Sequence, residues 1–189
     1  MPVYYYIILA LCGYLLGNLS SAKILSRLKK DDITKHGSGN PGTMNMLRTF
    51  GFKMGLITLL CDAIKSAIPS LLGFFMFGGY SGGELSYIGL YVGGTSAIIG
   101  HCFPIAYKFK GGKGVATMLG MFAVAEPYWA IIMFVVCFIY LLIFDKSHFL
   151  FQVLILYLFL SPYLSTISLL TSQDIISSIS KLSKDTLST

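Results

Sequence analysis

Residues 37–48 read Gly-Ser-Gly-Asn-Pro-Gly-Thr-Met-Asn-Met-Leu-Arg. Gly37, Gly39 and Gly42 let the backbone turn so that N–H groups converge, an arrangement that receives an anion. Ser38, Asn40 and Asn45 add neutral donors. Arg48 adds a planar fork that fits phosphate or carboxylate. A second cluster, at 108–114, reads Lys-Phe-Lys-Gly-Gly-Lys-Gly and runs straight into an apolar stretch. A glycine turn opening a helix offers unpaired N–H groups and the positive end of the helix dipole. Lys110 and Lys113 supply point charges beside Gly111, Gly112 and Gly114. This is not a nucleotide-binding P-loop, because no Ser or Thr follows Lys113. The competing reading of each cluster is an ordinary basic turn.

Other polar residues have plainer expectations. His101 ends an apolar stretch, where orienting the second loop is a simpler role than acting as a base. Asp62 and Lys65 are three apart, so one helical face carries both, and mutual pairing is the expected role. The four cysteines stand singly, with no metal-ligand spacing, and no metal site or cofactor is predicted.

The elements that position these residues follow from hydropathy. The chain has 189 residues, 55% hydrophobic and 12% charged, with mean hydropathy +0.75. Soluble domains carry about 25% charged residues, so lipid is the solvent here. The predicted fold is an all-α polytopic bundle of about six to seven membrane segments, each needing roughly 20 apolar residues. Spans are expected over 3–25, 53–77, 85–103, 115–125 and 128–144, with one kinked or two short segments over 149–170. Residues 26–52 read as a polar loop. The membrane domain is expected over 1–170 and a polar tail over 171–189. Gly13, Gly17 and Ser21, and Gly89, Gly93 and Ala97, recur every four residues, forming small-residue faces for close helix packing.

The net charge of +6 is concentrated in the two loops. Two spans separate them, so both face one side, which the positive-inside rule makes the cytoplasm. A nucleic-acid partner is excluded for want of a soluble basic surface.

Both loops resemble the first two signature motifs of the bacterial acyl-phosphate:glycerol-3-phosphate acyltransferase family. Tyr14-Leu15-Leu16-Gly17, residues 36–51, Asp62 with Lys65, and residues 100–117 fall in the family's order and spacing. The resemblance covers roughly the first two thirds of the chain. It implies a membrane enzyme of phospholipid synthesis that moves a fatty acyl group from acyl phosphate to the 1-hydroxyl of glycerol 3-phosphate, giving lysophosphatidate. It implies neither acyl-CoA nor metal, and a bacterial inner membrane with cytoplasmic site loops.

By the same resemblance, Ser38, Lys113 and His101 are the expected catalytic residues. Gly37, Gly39, Asn40, Asn45, Arg48, Lys110, Gly111, Gly112, Gly114 and Ser147 are expected to bind substrate. Phe144 stands where the family usually has an arginine, and nothing after Ser147 matches its third motif. The rival readings are a non-catalytic relative binding an anionic lipid or phosphorylated metabolite, and a small anion transporter. No repeat between the two halves supports the transporter.

Overall fold

The computed structural model describes residues 2–144, and every regular element among them is helical. In chain order these are α1 Tyr4–Gly17, α2 Ser21–Leu28, α3 Thr43–Phe50, α4 Phe52–Met76, α5 Glu84–Cys102, α6 Val115–Ala125 and α7 Pro127–Phe144. Ser147 and the expected 170/171 boundary lie outside the described residues. Among those described, Tyr4–Leu28, Phe52–Met76 and Glu84–Tyr107 are long and apolar enough to cross a membrane, and Val115–Ala125 is a shorter apolar helix.

The expected boundaries of α4 to α7 agree with these elements to within a residue. Two expectations need correction. The first span is not one helix over 3–25 but breaks between α1 and α2. Asn18 causes part of the break, as its side-chain amide donates to the Tyr14 carbonyl (2.7 Å) and its Oδ1 accepts the Ala106 N–H (3.4 Å). Ser20 is then extended, at φ −84° and ψ 97°. Second, the stretch 26–52 is not loop throughout. Thr43–Phe50 closes into α3 between Gly42 and Gly51, and its Met46 packs with Ala22 and Ile33 in a small buried cluster.

The bundle is apolar outside and polar inside. On α4, Leu56, Leu60, Ile64, Ile68, Leu72 and Phe75 are exposed, while Thr58, Asp62, Lys65, Ser66 and Ser70 are buried. In water this pattern would be inverted. In lipid the apolar face has no reason to hide, and helices associate through close packing and hydrogen bonds. The small-residue faces make that packing. Gly13 and Gly17 of α1 lie against Gly93, Ser96 and Ala97 of α5, and Gly93 also meets the Pro69 carbonyl of α4. Gly73 of α4 meets Gly89 of α5, and Gly120 of α6 meets the Ala63 carbonyl. A side chain at any of these positions would enter neighbouring backbone. The Ser66 hydroxyl donates to the Thr117 carbonyl and ties α4 to α6.

At the polar centre Lys65 Nζ contacts Asp62 Oδ1 (2.8 Å), the Leu19 carbonyl (2.9 Å) and His101 Nδ1 (2.6 Å). An ammonium has only donors, so His101 accepts at Nδ1 and carries its proton on Nε2. Ser21 Oγ donates to the same Asp62 oxygen at 2.9 Å. One cluster thus joins the α1/α2 break, α4 and α5.

Two outcomes follow. Gly17→Leu forces α1 from α5, and Gly93→Leu forces α5 from α4; each lowers the thermal unfolding midpoint in detergent by several degrees, and an unchanged midpoint would show the contact is not structural. Lys65→Met strands the Asp62 carboxylate and costs about 3–5 kcal/mol, and the double variant Asp62→Asn/Lys65→Met recovers part of that in the same unfolding assay.

Candidate active site

The first loop is shaped from its own side chains. Asp32 Oδ1 accepts from the Thr34 N–H (3.0 Å) and hydroxyl (2.7 Å), and Asp31 Oδ1 pairs with His36 Nε2 at 2.8 Å. The His36 contact and the Asp32 N–H hold the Asp31 carboxyl below its ordinary value of 3.8, and Thr34 does the same for Asp32. A lowered folded pKa means that these contacts support the loop at neutral pH. Their contribution fades only as acid titrates the carboxylates.

Asn45, in the first turn of α3 and buried, completes the frame. Its amide N–H groups donate to the Ile33 (3.2 Å) and His36 (2.9 Å) carbonyls, and its Oδ1 accepts the Ser38 N–H at 3.2 Å. Gly37 and Gly39 take the left-handed conformation at φ 54° and 68°. A Cβ at Gly37 would strike the Asn45 amide oxygen. The result is a fixed turn that leaves Ser38 exposed at its tip.

The second loop is laid onto the end of α5. The Gly112 N–H donates to the His101 carbonyl at 3.1 Å, and the His101 ring lies against the Gly112 Cα, where any side chain would collide with it. The Tyr14 hydroxyl donates to the Phe103 carbonyl at 2.9 Å, so α1 holds the same segment from the other side. Lys108 and Phe109 both sit at positive φ, 54° and 60°. Such residues cost about 1–3 kcal/mol each and persist only where the surroundings dictate them. The turn carries Lys110 to the cavity, and Gly114, at φ 80°, starts α6.

The two loops meet. A cavity of about 500 Å³ is lined by Ser38, Gly39, Asn40 and Pro41 of the first loop, by Tyr107, Lys110 and Gly111 of the second, and by Thr34 and Lys23. Of the expected site residues, Ser38, Gly39, Asn40, Lys110 and Gly111 are brought together here. Gly37, Asn45, Gly112 and His101 stand behind them and hold the loops in shape. Lys113 and Gly114 lie at the entry to α6, and Arg48 is on the last turn of α3, exposed; none of these three lines the cavity.

Sequence reading missed Lys23, Thr34, Pro41 and Tyr107. Lys23 carried a signal, because a lysine inside an apolar span is costly and marks function more often than structure. Tyr107 carried none. The arrangement can bind an anion between backbone N–H groups and two ammonium groups, with a serine hydroxyl within the same space.

Comparison with known proteins shows the family and the fold. Residues 7–182 match the family described as glycerol-3-phosphate acyltransferase. A curated relative of that name from Finegoldia magna is 39% identical over 136 residues, covering 71% of this chain and 65% of the relative. One from Pseudomonas fluorescens is 46% identical over 115 residues, covering 60% of this chain and 57% of the relative. The chain therefore spans under two thirds of the length of these relatives, at 65% and 57%. The crystal structure of PlsY, an integral membrane glycerol 3-phosphate acyltransferase, in its glycerol 3-phosphate form superposes with a TM-score of 0.73 at 31% identity, covering 84% of this chain and 78% of that one. Its lysophosphatidic acid form superposes with a TM-score of 0.61 at 34% identity, covering 69% and 62% of the two chains. With its lipid-facing helices and this likeness, the chain is an integral membrane protein, and it belongs to the glycerol-3-phosphate acyltransferase family.

Proposed function

We propose that this chain transfers a fatty acyl group from acyl phosphate to the 1-hydroxyl of glycerol 3-phosphate, giving lysophosphatidate, at the cytoplasmic face of a bacterial cell membrane. The observation that carries the reading is the convergence of the two glycine loops, with Ser38, Asn40 and Lys110 around one cavity, in a member of this family. The concentration of basic residues in those loops supports the cytoplasmic placement.

Both substrates carry phosphate, and phosphate is the leaving group, so the chemistry calls for cations and N–H donors. The hydroxyl oxygen of glycerol 3-phosphate attacks the acyl carbonyl carbon and forms the ester C–O bond. The C–O bond to phosphate breaks, inorganic phosphate leaves, and the hydroxyl proton passes to a phosphate oxygen. The step needs no nucleophile from the protein. Lys110 neutralises phosphate charge, and the N–H groups of the glycine turns and the Ser38 hydroxyl stabilise the oxygen that gains charge. Lys113 and Arg48 add positive charge at the entry to α6 and on α3. His101 acts by holding Gly112 and hence the second loop. Keeping both reactants in register supplies much of the rate. The acyl chain lies along the apolar helices.

The test is purified protein with palmitoyl phosphate and glycerol 3-phosphate, followed by lysophosphatidate and released phosphate. Turnover is expected; a folded protein without it would sink the reading, and glycerol 3-phosphate binding without turnover would point to a non-catalytic relative. Ser38→Ala and Lys110→Met should each lower kcat/KM by about 100-fold or more, the usual cost of one oxyanion-type donor. Arg48→Ala and Lys113→Ala should reduce turnover to background, and unchanged rates would refute their roles.

A further inference from the structure

Lys23 stands outside both glycine loops. It lies in the first turn of α2, directly after the break in the first span. Lys23 lines the same cavity as residues of both loops. Its Nζ sits 3.9 Å from the centroid of the Tyr107 ring, in the same loop that supplies Lys110. Among the described residues no carboxylate lies within ion-pair distance of this ammonium. Asp32 acts on it electrostatically from beyond ion-pair distance, and its Oδ1 accepts from the Thr34 N–H and hydroxyl. A half-buried lysine at the end of an apolar span is costly without an anion. An aromatic face steers such a cation but does not neutralise it.

We propose that Lys23 is a further phosphate-binding residue of this cavity, seated by Tyr107 and completed by a substrate phosphate group. The inference deepens the acyl-transfer reading and rests on it for the identity of the phosphate compound. Lys23 and Lys110 then bring two positive charges from separate elements to one cavity, matching a reaction whose two substrates each carry a phosphate group. The ligand chemistry is a phosphate monoester or acyl phosphate, and the kinetic arms below separate the two.

The experiment compares the full chain in detergent or lipid nanodiscs with Lys23→Met, Lys23→Gln and Lys23→Arg, checking each by thermal unfolding. Binding of inorganic phosphate is measured by calorimetry, and KM for glycerol 3-phosphate and for palmitoyl phosphate is measured by turnover. Loss of one charge-assisted contact is expected to weaken phosphate binding about tenfold. It should raise KM about tenfold for the substrate whose phosphate Lys23 holds, with kcat within about twofold. Lys23→Arg should restore most of the loss, which a role in packing alone would not. Phosphate binding equal to wild type in folded Lys23→Met and Lys23→Gln overturns the proposal, as does a wild-type protein that binds no phosphate. Wild-type phosphate binding that depends on Lys23, without turnover, sustains the site and sinks the acyl-transfer reading alone.

Discussion

An ammonium group buried among lipid-facing helices must have all its protons accepted by protein. Lys65 has three, and three acceptors surround it: Asp62 Oδ1, His101 Nδ1 and the Leu19 carbonyl. Those acceptors come from α4, from the end of α5 and from the gap between α1 and α2. Much of the rest depends on this. The Leu19 carbonyl is available because the helix is broken there. His101 is held in one tautomer, with its ring against Gly112. The second glycine loop is therefore fixed through a hydrogen-bonded chain that starts on α4. Such a cluster adds little net stability compared with a well-packed apolar core, but removing one partner strands the others. Its value is in setting one arrangement of three elements.

Around that centre the bundle is built by close approach. Gly13, Gly17, Gly89 and Gly93 bring helix backbones together where larger residues would collide. The exposed leucines and isoleucines of α4 belong to the lipid and not to a core. Rigid helices in turn permit strained loops. The left-handed Lys108 and Phe109 and the left-handed Gly37 and Gly39 are held by contacts to α1, α3 and α5. A polar cavity shaped by two glycine loops can thus stand against an apolar bundle.

The two glycine loops divide between an inner layer that shapes them and an outer layer that lines the cavity. Asn45 shows the inner role. It has the donor chemistry expected of a ligand contact, yet its amide spans Ile33, His36 and Ser38 and so builds the turn that presents Ser38. His101 stands in the same relation to Gly112. The cavity itself is lined by shorter or more exposed groups, Ser38, Gly39, Asn40, Lys110 and Gly111, with Lys23 and Tyr107 completing the wall.

The sequence by itself determined the solvent, the helices from α4 to α7 and the two glycine clusters, but not α3, which it read as loop. These depend on local properties: a run of apolar residues long enough to cross a bilayer, glycines at fixed spacing, and basic residues gathered in two stretches. The boundaries of α4 to α7 and the Asp62–Lys65 pair were legible for the same reason, since three residues on a helix lie on one face whatever surrounds them. Only the tertiary structure decided that the first span breaks at Asn18, because the partners that stabilise the break are Lys65 and Ala106, 46 residues from Leu19 and 88 residues from Asn18. It likewise decided which loop residues line the cavity and which stand behind it. Lys23 lines the cavity from the start of α2, directly after that break, and a break held by contacts that distant in sequence leaves no mark in a local pattern.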